Sequence, residues 1–274
     1  MPRQDAQPPK NPTIRVAFQG DRGAFSEEAA IGLLGEEIGL SGLRTFAEVV
    51  TAVSGGECDY GILPIENSIY GHIAANYDLL FNHRTVFIVD ETTLPINQAL
   101  LGLPGASLEE LRTVASHEVA IEQCDQFFKK HDFLERAIVF DTAGAVKLMM
   151  ERNDPHHGAI GSELLARRYG AQVLAKRIQD DVENVTRFFL LCARPQPRRT
   201  PRRACVAFEL PHTPGALRDA LSTFAERGIN LRSLVERPSR LAAFDYRFFV
   251  ELELGNADPG SIPTIGNSIV LGLY

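Results

Sequence analysis

The chain is poor in cysteine, in positive charge and in long apolar runs, and each shortage closes off a class of function. Its four cysteines, Cys58, Cys124, Cys192 and Cys205, are scattered through 274 residues, each among apolar neighbours. No metal-ligand spacing and no disulfide framework can be read from them, so small buried thiols in a reducing compartment are expected. Acidic residues outnumber basic ones, 35 against 28, giving a formal net charge of −7. That balance argues against a general nucleic-acid binder and leaves room for a local anion pocket. No stretch approaches the length of a membrane span, and residues 1–12 lack the apolar core of a secretory signal. A cytoplasmic protein with no membrane and no nucleic-acid partner is expected. Only Gly20 and Gly23 mark the first strand-to-helix turn, too few for a dinucleotide fingerprint.

What is present is ordinary globular composition, 45% hydrophobic and 23% charged, at a length that suggests about two domains. Residues 1–12 read as a disordered tail. From residue 13 to 193 strand-like and helix-like segments alternate. Ser26 is placed to cap a helix whose first turn holds Glu27 and Glu28. Phe46, Val49, Val50 and Val53 mark a helical face ended by Gly55-Gly56. Tyr60–Ile65 reads as a buried strand running into Glu66-Asn67-Ser68, and ligands of α/β folds gather at such strand ends. Val114–His117 ends another strand, with His117 read as a structural helix-start histidine. Asp141 and Ser162 stand at further strand-to-helix corners, and His156-His157 reads as a solvated turn. The implied fold is α/β, with two lobes and a cleft between them: residues 13–92 with 186–194, and residues 93–185. Residues 195–203, rich in Pro and Arg, form a linker. Residues 204–274 follow a β-α-β-β order with Pro and Gly through 255–267, which is poor helix material.

Residues 179–191 concentrate the chemistry. A polar stretch ends in Thr186 and Arg187, and the apolar run Phe188–Leu191 follows at once. Arg187 at that border needs an anion to be desolvated. A bound substrate and a neighbouring carboxylate satisfy that need equally well.

The triplet Thr186-Arg187-Phe188, with Asn184 before it, resembles the signature of prephenate dehydratases. Glu66-Asn67-Ser68 and the Ser116-His117…Gln123-Cys124 block resemble further family motifs, in the same order. The resemblance implies decarboxylating dehydration of prephenate to phenylpyruvate without metal or other cofactor. The chain looks monofunctional, since no segment before residue 13 has room for a fused chorismate mutase. The implied catalytic residues are Thr186, Arg187, Phe188 and Glu66: Thr186 at the leaving hydroxyl with Glu66 as its partner, Arg187 on the dicarboxylate. Asn67, Ser68, Ser116 and Asn184 are implied to bind substrate. The C-terminal segment resembles an ACT domain, a small ferredoxin-like α+β module, with an atypical end. It implies a homodimer or homotetramer and phenylalanine as effector at Gly215, Ala216, Leu217, Asn230 and Leu231. Val235-Glu236 departs from the family wording. Arogenate dehydratase and a non-catalytic amino-acid-binding protein are the alternatives.

Overall fold

The structure, a computed structural model, describes residues 14–194, 200–239 and 245–274. The tail expected over residues 1–12 and residues 195–199 of the expected linker lie outside them. In chain order the first lobe holds β1 (Arg15–Gln19), α1 (Phe25–Leu34), β2 (Gly39–Leu43), α2 (Phe46–Ser54), β3 (Tyr60–Asn67), β4 (Gly71–His72), α3 (Ala74–Asn82) and β5 (Phe87–Pro95). The chain then crosses to a second lobe, β6 (Ala99–Gly102), β7 (Thr113–Ser116), α4 (Glu118–Glu122), α5 (Asp125–Lys130), β8 (Glu135–Ile138), α6 (Thr142–Arg152), β9 (His157–Gly161), α7 (Glu163–Tyr169) and β10 (Gln172–Lys176). It returns through β11 (Val185–Cys192) and ends in a module of β12 (Arg203–Glu209), α8 (Ala216–Ala225), β13 (Asn230–Pro238), β14 (Tyr246–Glu253) and β15 (Ile269–Leu273).

Side-chain caps set several helix starts. Thr45 and Glu48 form a reciprocal box at α2, Asp141 caps α6, and Ser162 caps α7. Ser26 does not cap. The helix begins two residues earlier than a Ser26 cap would place it, its N-cap is Ala24 with no side-chain bond, and Ser26 is buried in the first turn. Without a capping side chain, the start of α1 retains donor capacity for a ligand.

The strands form two sheets among the described residues. One runs β13-β14-β12-β15-β5-β11-β3-β1-β2, with β4 beside β3, and the other runs β10-β6-β9-β7-β8. The lobe crossings therefore fall after Pro95 and before Val185. In the C-terminal module the segment between β14 and β15 contains a single 3-10 turn, Pro259–Ser261, and no α-helix. Ala257, Ile262 and Ile265 from this segment still pack against the core of Phe208, Val250 and Leu252.

The module is not a separate bead. Its last strand, β15, lies parallel to β5 with Gly272 opposite Ile88. A Cβ on Gly272 would stand 2.3 Å from the Ile88 carbonyl oxygen, so only glycine permits this approach. Leu63, Tyr77 and Phe189 of the first lobe share one buried cluster with Cys205, Ala207 and Phe249 of the module. That continuity seats the module directly behind the strand that carries the candidate site.

Candidate active site in the interlobe cleft

β11 lies antiparallel between β3 and β5, and successive side chains on a strand point to opposite faces. Thr186 pairs with Asn67 and Arg187 with Glu66, then a bulge shifts the register so that Phe188 pairs with Pro64. Thr186, Phe188, Asn67 and Pro64 line the cleft between the lobes. Arg187 and Glu66 lie on the reverse face.

On the cleft face Asn67 organises the polar groups. Its Nδ2 donates to Thr186 Oγ1 at 3.0 Å and to Asn184 Oδ1 at 2.7 Å, while its Oδ1 accepts from the backbone N–H groups of Ile69 and Tyr70. Because Thr186 Oγ1 already accepts a bond, its own proton is left for a ligand, and the incoming bond polarises it. The cleft measures about 510 Å³, within the range of small-molecule sites. No lysine or arginine is among its described lining residues. Instead the starts of α1, α4 and α6 border it, through Ala24–Ser26, His117–Ala120 and Asp141–Ala143. Helix N-termini offer backbone N–H groups and the positive end of the dipole to an anion. On the second lobe's wall Gln98 Nε2 donates to Gln123 Oε1 at 3.2 Å. His117 Nδ1 accepts from the Val119 N–H at 3.2 Å, the helix-start role expected of it. A second hollow of about 860 Å³ shares Gly20, Phe140 and Asp141 with the cleft and is bordered by Arg44.

The lobes are also latched. Glu27, fully buried, accepts from the Gly23 N–H, from Arg22 at 2.9 Å and from Arg168 of α7 at 2.9 Å.

The reverse face is a saturated ion cluster. Arg187 is 4% exposed. Its Nε and Nη2 reach Glu66 at 3.1 and 2.9 Å, its Nη1 and Nη2 reach Glu251 at 2.5 and 2.7 Å, and its Nη1 also reaches Glu91 at 3.0 Å. Burial works against the guanidinium charge, yet the Glu251 and Glu66 carboxylates outweigh it and raise its affinity for the proton. For Glu251 burial pushes the carboxyl up, but the hydrogen bonds and charge of Arg187 hold it below the usual carboxylate value. The Tyr77 phenol, donating to Glu251 at 2.9 Å, is pushed well up by burial and by that carboxylate.

Several expected roles therefore change. Arg187 spends all its donors on three carboxylates and has none for a substrate dicarboxylate. Glu66 shares the face of Arg187, so the partner of Thr186 is Asn67 rather than Glu66. Ser116 is fully buried and donates to the Ile160 carbonyl inside the second sheet. Ser68 ties the end of β3 to β11 through the Glu183 carbonyl and the Val185 N–H, and Asn184 is 1% exposed, supporting Asn67 from behind. Among the lining residues, Gln98 carried no sequence signal, Phe46 was read only as part of a helical face, and Tyr70, two residues beyond Glu66-Asn67-Ser68, was assigned no role.

The model of the prephenate dehydratase family matches residues 16–196, most of the chain. The chain belongs to that family. The ACT domain model matches residues 206–262. Among family relatives, an arogenate dehydratase/prephenate dehydratase of Arabidopsis thaliana is 40% identical over 89% of this chain and 66% of its own length. The prephenate dehydratase of Arthrobacter aurescens, solved in complex with L-Phe, superposes with a TM-score of 0.85 at 29% identity, covering 94% of this chain and 89% of that one. A quorum quenching acylase superposes equally well, with a TM-score of 0.85 at 28% identity over 95% and 97% of the two chains.

The ACT-like module separates the two halves of the expected effector site. Ala216 and Leu217 border a hollow of about 110 Å³ with His212, Tyr246 and Phe248, beside the end of β12. Gly215 is the helix N-cap there, with φ of 86°. Asn230 and Leu231 lie at the other end of the sheet, where Asn230 Nδ2 donates to Glu253 Oε2 at 3.1 Å. Within one chain these groups do not meet.

Proposed function

We propose that the interlobe cleft converts prephenate to phenylpyruvate. The observation that carries this reading is the Asn67–Thr186 pair, a hydroxyl polarised from behind and aimed into a cleft bordered by helix starts. The substrate's two carboxylates have no lysine or arginine to meet in the described lining. The N–H groups at the start of α1, which no side chain caps, take that task. The ring packs on Phe188. As the ring carboxylate leaves as carbon dioxide, its bonding electron pair enters the ring, and the carbon–oxygen bond at the opposite carbon breaks. The departing oxygen accepts the Thr186 hydrogen bond and takes up one proton relayed from solvent, leaving as water. A threonine hydroxyl is a weak free acid, so its contribution is a bond that strengthens as charge develops on that oxygen. Aromatisation drives the step.

Purified full-length protein, assayed with prephenate and with arogenate, is expected to turn over prephenate with no added metal or nucleotide. Turnover of neither, with tight amino-acid binding, would identify a binding protein instead. Phenylalanine is the proposed effector. Since 215–217 and 230–231 are apart within a chain, a homodimer or homotetramer that brings two modules together would complete the site. The edge strand β13, with Leu234 partly exposed, is a surface for such pairing. Calorimetry with phenylalanine, alongside sedimentation, tests both parts. The four free cysteines, all buried, fit a reducing cytoplasm, and no described helix is long and apolar enough to cross a membrane.

A further inference from the structure

The two faces of the β3–β11 pair are built as one unit. In front, Asn67 bonds Thr186; directly behind, the adjoining residues Glu66 and Arg187 bond each other. The bulge that ends this register lies between Arg187 and Phe188, and bulges re-aim the side chains beside them. Whatever fixes Arg187 therefore fixes the direction of the Thr186 hydroxyl.

The partner that grips Arg187 through both carboxylate oxygens is Glu251, from β14 of the C-terminal module. Glu251 is itself held on every side. Tyr77 and Ser233 donate to its Oε1 at 2.9 and 3.1 Å, and Tyr274, the last residue, reaches its Oε2 at 3.4 Å. Tyr77 belongs to the first lobe, while Ser233 and Tyr274 belong to the module. Glu91 adds a second bridge, binding Arg187 at one oxygen and the module's Arg232 and Arg203 at the other. A buried bidentate arginine–carboxylate pair fixes both distance and plane. The cleft reaction needs no such pair behind it for binding or chemistry. A structural joint between domains is supplied elsewhere, by Arg237 with Asp78 at 2.6 Å and by the β15–β5 contact.

We propose that Glu251 of the C-terminal module is a positioning residue for the dehydration step: acting through Arg187, it sets the aim of Thr186. This rests on the dehydratase reading above and deepens it, because it makes the module part of the catalytic frame. Anything that moves β14 acts on the Thr186 hydroxyl through one guanidinium.

The test compares full-length wild type with Glu251→Gln, Glu251→Asp and Asp78→Asn, measuring kcat, KM and melting temperature with prephenate. Glu251→Gln keeps the shape and loses the charge that orients the guanidinium. It is expected to lower kcat by about tenfold or more with KM within about twofold, as small misplacements of a catalytic group do. Glu251→Asp should recover part of that kcat. Asp78→Asn cuts a domain contact made with Arg237, and neither residue bonds Arg187 or Glu251, so both constants should stay near wild type. If Glu251→Gln does not fold, Ser233→Ala removes one donor to Glu251 and should lower kcat by about twofold at unchanged KM. Wild-type turnover with normal kcat in the folded Glu251 variants, or in Ser233→Ala, overturns the positioning role alone. Loss of kcat in Asp78→Asn equal to that in Glu251→Gln also overturns it, as the effect would then be general loosening. Absence of turnover by the wild type overturns the dehydratase reading and this inference with it.

Discussion

The two faces of β11 carry equally polar residues and use them in opposite ways. Behind the strand, three carboxylates consume every donor of Arg187, and the cluster is satisfied without any ligand. In front, Thr186 receives one bond from Asn67 and retains a proton to give. The contrast supports the proposed placing of the chemistry on the front face, since a polar group acts on a substrate only if the fold has left it some capacity. A charge in a functional motif is no guide to that capacity. Arg187 is the most strongly charged member of its triplet and the one with least to offer a ligand.

The largest effect that sharpens this comparison is on stability. Arg187→Ala leaves Glu251 buried without its cation, while Glu91 keeps Arg203 and Arg232, and removing one partner of a buried pair destabilises by about 3–5 kcal/mol. Denaturant unfolding should show a loss of that size. A loss below about 1 kcal/mol, with KM for prephenate strongly raised, would return Arg187 to the role of substrate ligand.

Next in size is the front face. Thr186→Ala should lower kcat by the equivalent of about 3 kcal/mol while KM changes little, with the melting temperature close to wild type. Kinetics on folded protein decide it, and near-normal kcat would remove Thr186 from the leaving oxygen.

A smaller effect appears in the pH dependence of stability. The Glu251 carboxyl sits below its ordinary value of 4.5 when folded, because Arg187 outweighs burial. A depressed acid stabilises the fold fully above its unfolded value and ceases to do so as pH falls through the folded one. The melting-temperature gap between wild type and Glu251→Gln should therefore be constant near neutral pH and shrink below about 4.5. A gap that widens on acidification would contradict the assignment.

The smallest effect concerns Ser116. Its hydroxyl bonds the Ile160 carbonyl inside the second sheet, away from the cleft. Ser116→Ala should lose about 1 kcal/mol of stability and leave kcat and KM unchanged. A raised KM would bring Ser116 back to the substrate.

Much of the architecture was legible in the chain. Asp141 and Ser162 announced their helices, Gly55 ended α2, and the prolines and glycines of 255–267 foretold a module without its second helix. Ser26 misled because a serine before two glutamates has the composition of a cap, while the turn at Gly23 let the helix begin earlier. The motif blocks named the family, and they contain Thr186 and Asn67. Even the opposition of Thr186 and Arg187 was implicit, because alternation along a strand is local geometry.

What the sequence could not decide was which face would be the cleft. That depended on partners far along the chain: Asn67 lies 119 residues from Thr186, Glu91 96 from Arg187, and Glu251 64 from it. Local sequence sets which way neighbouring side chains diverge, because that follows from backbone dihedrals. Whether a diverging side chain meets a substrate or a carboxylate follows from the packing of whole sheets, and here the seating of the C-terminal module against β5 settled it.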